Sequence, residues 1–397
     1  MNANAQNDNP WLHRFILVTA AATFLLLGSG GMVTSREAGM SVPDWPNTYG
    51  YNMFLFPVSK WVGGIFYEHT HRLLAFGIGF LTTLLAVWLW FRDSRQWMRW
   101  LGVLAFVLVA LQGVLGGLRV TLHMDRLGIV HGALAQLFFV LICALALFTS
   151  RWWSSVAAVY DRRSNSETSA TVADRRYKNL RTLVLATTIL IFVQLILGAT
   201  MRHQHAGLAI PDFPAAYGKI WPDTSAAAIA RYNADRIEVV SENPITAFQI
   251  ILQMVHRIVA LAVFIGVAVC AWRAHRWSSR FSVSESANNL KVELQLERRL
   301  SLFWLALIVV QIILGAATIW SNKAADVATA HVLVGALSLA TGPLWCLIAF
   351  AHPVLRDVGA PGTAPARMGD GPKNAEAVLG APISGAFGAH PALATNK

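Results

Sequence analysis

Eight apolar stretches alternate along the chain with polar or basic segments, each long enough to cross a hydrocarbon core, which takes about 20 residues of helix. They predict spans over residues 13–34, 67–91, 100–120, 128–150, 181–201, 246–271, 301–320 and 327–350. Basic residues crowd alternate connections: Arg92, Arg95 and Arg99; the run from Arg151 to Arg181; then Arg273, Arg276, Arg280, Lys291, Arg298 and Arg299. The positive-inside rule makes these connections cytoplasmic and puts both termini on that side. The other connections then face outward. Two of them, 35–66 and 202–245, are long and rich in Trp, Pro, Tyr and Phe, which suits the membrane interface and a roof over a site.

Composition sharpens this picture. With 55% hydrophobic and 13% charged residues, the chain is too apolar for an ordinary soluble domain. The net charge of +11 follows from the basic loops and does not indicate a nucleic-acid surface. Cys143, Cys270 and Cys346 stand singly inside apolar stretches and read as small core residues, with no CxxC motif. Residues 1–12 form a polar start, and no small-residue cleavage pattern follows the first stretch, so that stretch is expected to be a retained helix. Residues 151–180 read as a cytoplasmic linker, and its stretch 155–177, like 277–298, as polar and mobile. The tail 351–397, rich in Ala, Gly and Pro, reads as disordered.

The two halves repeat. AGMSVPDWP at 38–46 matches AGLAIPDFP at 206–214, the pair His71-Arg72 matches His256-Arg257, LQGVLGG at 111–117 matches VQIILGA at 310–316, and His131 matches His331. An even number of spans per unit returns each unit to the same orientation. The expected architecture is therefore an all-α polytopic membrane protein, its eight transmembrane helices arranged as two pseudo-twofold-related four-helix bundles, 13–150 and 181–350.

The repeat also organises the histidines. His71, His131, His256 and His331 each fall near the outer start of an even-numbered span, where an unpaired imidazole is costly, so matched positions point to ligation. His71 and His131 can face each other in one bundle, and His256 and His331 in the other. Two such pairs suit two haems, whereas zinc would lack its usual further ligands. Gly63, Gly64, Gly113, Gly116, Gly117, Gly132, Gly198, Gly315 and Gly335 would admit a flat macrocycle, or simply a neighbouring helix. His69, His123, His203 and His205 read as interfacial or loop residues without a ligand role. Arg72 and Arg257 could neutralise haem propionates, snorkel, or pair with Asp44 or Asp212.

One exchange breaks the symmetry. Glu68 lies three residues before His71, on the same helix face, and Gln253 stands in its place in the second half. Both hydrogen-bond, but only the carboxylate can accept a proton or stabilise a developing positive charge. A carboxylate here can also cap the helix or pair with Arg72. The half with Glu68 is the candidate for chemistry, and the half with Gln253 for a permanently bound redox haem.

These motifs together, GGMVTSREAGMSVPDWP, EHTHR, LQGVLGGLRV, His131-Gly132, AGLAIPDFP, His256-Arg257 and His331, resemble the haem A synthase family over roughly residues 13–350. The resemblance implies an enzyme that oxidises the C8 methyl of haem O to a formyl group by successive hydroxylations. It implies a substrate haem held by His71 and His131, with Glu68 catalytic and Arg72 nearby, and haem B held by His256 and His331, with Arg257 nearby, passing electrons to an acceptor outside the chain. It also implies a bacterial inner membrane, with haem sites toward the periplasm, and contacts with haem O synthase and cytochrome oxidase assembly. The first outer loop has no cysteine between residues 35 and 66, so this chain is similar to the cysteine-free members. Small-residue faces would permit a homo-oligomer. Two other readings compete: a di-haem electron-transfer cytochrome such as a quinol oxidoreductase subunit, and a transporter, which would explain the repeat but neither the histidines nor Glu68.

Overall fold

Asn9 starts the first helix, because its Oδ1 accepts the backbone N–H groups of Trp11 and Leu12 at 3.0 and 3.2 Å. Pro10 takes the first helical position, where a missing N–H costs nothing. The computed structural model describes residues 9–153, 172–236, 244–280 and 288–351. Most of the polar start, most of the linker between the halves and the tail lie outside those residues. The long helices of the first half are α1 (Pro10–Ser35), α2 (Gly63–Arg92), α3 (Gln96–Thr121) and α4 (Arg126–Phe148). The second half begins with α5 (Val172–His203). A short outer-loop helix, α6 (Ala226–Ala234), is followed by α7 (Ala247–Arg280), α8 (Asn288–Trp320) and α9 (Ala325–Ala351). Among the described residues 8 helices are long and apolar enough to cross a membrane, and no strand accompanies them.

The helices outrun the predicted spans where polar helix formers continue the backbone ladder. Thus α8 begins at Asn288 and α7 continues to Arg280, so 277–280 and 288–298 are helix where a mobile linker was expected. Residues such as Lys291, Glu293, Gln295 and Glu297 have good helix propensity once an apolar segment has nucleated the helix.

Within each half the long helices close a ring: α1 packs on α2 and α4, and α3 on α2 and α4, while α5, α7, α8 and α9 repeat the pattern. The halves meet through α4 against α9, flanked by α1 against α9 and α5 against α4, which are equivalent contacts. Accordingly 61% of the apolar window of α9 is buried but only 17% of that of α3 or α8, so the latter two present their sides to lipid. All the described helices belong to one compact unit.

The solid cores lie away from the histidines. In the first half Leu12, Ile16, Leu85, Leu89, Met98 and Leu145 form one buried cluster. In the second half Val184, Val267, Trp304 and Trp345 do the same, with the Trp304 indole N–H donating to the Ser338 carbonyl at 2.7 Å. At about 1.5 Å per residue, Leu85 lies some 20 Å along α2 from His71. One end of each bundle is thus packed apolar side chains, and the opposite end carries the candidate chemistry.

Candidate functional site

The two outer loops are built to one plan. Asp44 accepts the N–H groups of Tyr49 and Gly50, both at 2.7 Å, and Asp212 accepts those of Tyr217 and Gly218 at 2.7 and 2.8 Å. The Tyr49 hydroxyl donates to the Ser41 carbonyl at 2.6 Å, and the Tyr217 hydroxyl to that of Ala209 at 2.7 Å. Trp45–Pro46 and Phe213–Pro214 are both cis. Burial pushes the Asp44 carboxyl up, but the N–H groups of Gly50 and Tyr49, helped by Arg72, outweigh it and hold the carboxyl below its ordinary value.

Glu68 and Gln253 tie these loops to the helices. Glu68 is 4% exposed; its Oε2 accepts the Val42 N–H at 2.8 Å and its Oε1 the Arg72 guanidinium at 2.7 Å. In the second half the Gln253 Oε1 accepts the Ile210 N–H at 2.7 Å, and its Nε2 donates to the Ile210 carbonyl at 3.3 Å. The same anchor is therefore made once with a carboxylate and once with an amide.

Arg72 and Arg257 act here as loop clamps. Arg72 donates to the carbonyls of Asp44, Asn47 and Val42 as well as to Glu68. Arg257 donates to those of Asp212 and Ala215 at 2.7 and 2.8 Å. Of the roles left open for these arginines, the structure occupies them with loop carbonyls and, for Arg72, the Glu68 carboxylate.

Each of the four histidines lies against a helix glycine of a neighbouring span. A Cβ placed on Gly30 would lie 3.0 Å from the His71 Cε1, one on Gly116 3.5 Å from that of His131, and those on Gly198 and Gly315 each 3.3 Å from His256 and His331. Gly30 and Gly198 are repeat partners, as are Gly116 and Gly315, so the seat of each ring is duplicated too. His71 on α2 and His131 on α4 stand on opposite helices of one ring, as do His256 on α7 and His331 on α9 of the other. Each ring is half-buried. The Nδ1 atom of His256 is buried without a hydrogen-bond partner, and those of His131 and His331 reach only the backbone of Gln112 and Gln311, without a well-formed bond. His71 differs, because its Nδ1 lies 2.7 Å from the Ser29 Oγ, which itself donates to the Leu26 carbonyl. Either atom can donate in the Ser29–His71 contact, and in the tautomer with the proton on Nδ1 the ring presents the Nε2 lone pair.

Sequence reasoning missed several neighbours of these rings. His69, expected to be wet, is fully buried: its Nδ1 meets the Thr48 hydroxyl at 3.2 Å and its ring packs between Phe56 and Trp61. Its repeat partner is Met254, which marks the position as interior. His203, also expected to be interfacial, lies on Gly128 of α4, where a Cβ would overlap its ring. Arg119 and Gly30 were not singled out, although aligning the halves puts Gly30 on Gly198. Of the glycines expected to be close to a neighbour, Gly117 faces the Trp45 ring and Gly64 faces Ser41, while Gly113 and Gly132 have no outside atom within 4 Å.

Chemically, each bundle offers two facing imidazoles and little else. Among the described residues no group of three or more His, Cys, Asp or Glu is set to hold a metal ion. A pair of imidazoles suits a metal that brings its own equatorial donors, as the iron of a porphyrin does.

The family model described as cytochrome oxidase assembly protein, COX15-CtaA, matches residues 56–342. The chain is 28% identical over 356 residues to a protein of Rhizorhabdus wittichii named Heme A synthase, covering 83% of this chain and 91% of that one. A Heme A synthase of Shouchella clausii is 27% identical over 221 residues, 55% of this chain and 68% of its own. A Heme A synthase of Listeria monocytogenes is 34% identical over 132 residues, 32% of this chain and 41% of its own.

Proposed function

The chain belongs to the COX15-CtaA family of cytochrome oxidase assembly proteins, the haem A synthase family that its motifs resemble, and from that premise we propose that it converts haem O to haem A. In this reading the C8 methyl of haem O is hydroxylated twice. Each step takes oxygen from water and removes an electron pair and two protons, giving the alcohol and then the geminal diol, which loses water to leave the formyl group. The substrate lies in the first half, with His71 and His131 as its iron ligands. His256 and His331 hold haem B in the second half, where it would supply one-electron transfer toward an acceptor outside the chain.

The observation that carries this division is the exchange of Glu68 for Gln253 within otherwise matching loop anchors. With Val42 and Arg72 bound, the Glu68 carboxylate still has lone pairs free. It is the group proposed to orient and deprotonate the attacking water, or to stabilise positive charge at the oxidised methyl. Gln253 keeps the fold of its loop and can do neither. We further assign the protein to the bacterial inner membrane with both termini cytoplasmic, the sites toward the periplasm, and haem O synthase and oxidase assembly as its surroundings. A di-haem electron-transfer cytochrome would need ligands near both membrane faces. Here all four histidines lie near the N-terminal ends of α2, α4, α7 and α9.

The test is to express the protein beside a source of haem O, extract the haems and identify them by chromatography and mass spectrometry. Haem A or its hydroxylated precursor is expected, and the absence of both from fully assembled protein overturns the assignment. Glu68→Gln should keep the haem B spectrum and lose conversion by about 100-fold or more, whereas His256→Ala or His331→Ala should lose the spectrum itself. Full conversion by Glu68→Gln would refute the division of roles.

A further inference from the structure

With Arg72 occupied by loop carbonyls, another cation stands on α3, the helix whose Gly116 seats the His131 ring. Arg119, in the last turn of α3, has a side chain 15% exposed and a buried Nε with no hydrogen-bond partner. Its NH2 pairs with Asp125 at 3.2 Å, a carboxylate whose side chain is 59% exposed. The guanidinium lies under the first outer loop, where a Cβ added to Gly39 would fall 2.7 Å from NH2. Two residues before it on α3, Gly117 carries the Trp45 ring of the same loop. Arg119 lies about one turn along α3 from Gly116, on whose face the His131 ring rests. At the equivalent position the second half carries Thr318, and a Cβ added to Gly207, the loop glycine equivalent to Gly39, would meet no outside atom within 4 Å; the buried cation of that half, Arg202, is held by the Gly31 carbonyl and the Ser35 hydroxyl of α1.

We propose that Arg119 is the carboxylate-binding residue of the first-half site, taking a propionate of the porphyrin substrate in place of its exposed partner Asp125. The assignment rests on the reading of that half as the substrate site. The planar guanidinium offers paired N–H donors that match a carboxylate, and such charge-assisted bonds are stronger in a partly dry site. In haem O the methyl at C8 neighbours the propionate at C7. A carboxylate anchor therefore fixes the macrocycle's rotation about its iron axis where that rotation decides which methyl reacts. A resident haem in the second half has no methyl that must be positioned for oxidation, which agrees with Thr318 there.

The experiment uses the full chain in lipid discs with its second-half site filled, titrated with iron protoporphyrin and, separately, with its dimethyl ester, and followed by the Soret band. Wild type should bind the free acid more tightly than the ester, and His71→Ala should abolish this binding. If no binding depends on His71, the substrate-site reading fails. If such binding is present, Arg119→Gln should reduce the acid-over-ester preference by about tenfold, and Arg119→Lys should retain part of it. An unchanged preference in Arg119→Gln overturns the proposal. Should Arg119→Gln fail to assemble, Asp125→Asn decides: releasing Arg119 from its competitor should raise the preference for the acid, and an unchanged or lower preference overturns the proposal.

Discussion

The contact between each histidine and its glycine sets up a graded test. Alanine at Gly30, Gly198, Gly315 or Gly116 would put a methyl 3.0, 3.3, 3.3 or 3.5 Å from the imidazole Cε1. Carbon atoms in comfortable contact stand about 3.5–4.0 Å apart. The His71 ring must therefore retreat by roughly 0.5 Å or more, His256 and His331 by roughly 0.2 Å or more, and His131 little. Cε1 adjoins Nε2, so pushing on it tilts the nitrogen that would meet the iron, and sites of this kind tolerate about 0.5 Å. Replacing Gly by Ala inside a helix otherwise stabilises it by about 1 kcal/mol. The two effects have opposite signs: thermal stability holds or rises while the ligand field deteriorates. Optical and electron paramagnetic resonance spectra of the purified variants should rank the disturbance Gly30→Ala first, Gly198→Ala and Gly315→Ala next and Gly116→Ala last. Gly132→Ala, facing open space, is the neutral control. Equal disturbance by Gly116→Ala and Gly30→Ala, or an unaltered spectrum in Gly198→Ala, would refute the claim that these rings sit where ligation needs them.

Two further outcomes follow from the same geometry. Ser29→Ala removes the hydroxyl that orients His71 and should weaken porphyrin binding in the first half by about tenfold without touching the haem B spectrum; an unchanged titration would show that Ser29 does not steer the ring. Asp44 has a folded pKa below its ordinary 3.8, so its contribution to loop docking is complete above that value and fades only as the pH falls below it. Limited proteolysis of the first outer loop should accordingly be flat from neutral pH down to about 4, and Asp44→Asn should expose the loop at every pH. Exposure of the wild-type loop already at pH 6 would contradict that sign.

The architecture was legible because a membrane span writes itself as a run of apolar residues, and because the two halves carry the same landmarks. Pairing AGMSVPDWP with AGLAIPDFP led to the matched loops, and the His-Arg pairs led to the equivalent histidines. What escaped has a common cause: it depends on which residues from distant parts of the chain meet. The burial of His69 is made by Thr48, Phe56 and Trp61, none of which advertises the contact. The use of Arg72 on loop carbonyls depends on how the outer loop folds back. Helix α6 lies in a polar loop outside any apolar window, though Ser225 followed by an alanine run is a readable start, with the serine Oγ accepting the Ala228 N–H at 3.3 Å.

Set side by side, four exchanges run in one direction, while Arg202 in the second half, where the first has Thr34, runs the other way. Where the first half carries Glu68, Ser29, His69 and Arg119, the second carries Gln253, Leu197, Met254 and Thr318. Each exchange removes a charge, or a polar group near the imidazoles, from the second half, while the glycine seats, loop anchors and histidines are kept. A site that only relays electrons needs fixed ligands in a dry surrounding. A site that must recognise a porphyrin edge, hold one methyl in place and move protons needs the groups the first half retains. The Arg202 guanidinium joins the two, donating from α5 to the Gly31 carbonyl at 2.9 Å and the Ser35 hydroxyl at 2.7 Å on α1 while interacting with His331. Because α1 also carries Ser29 and Gly30 against His71, a short run of backbone connects the seat of one histidine pair to the surroundings of the other. The proposed division of labour thus rests on a few side chains, and any coupling between the halves on the shared helix seam.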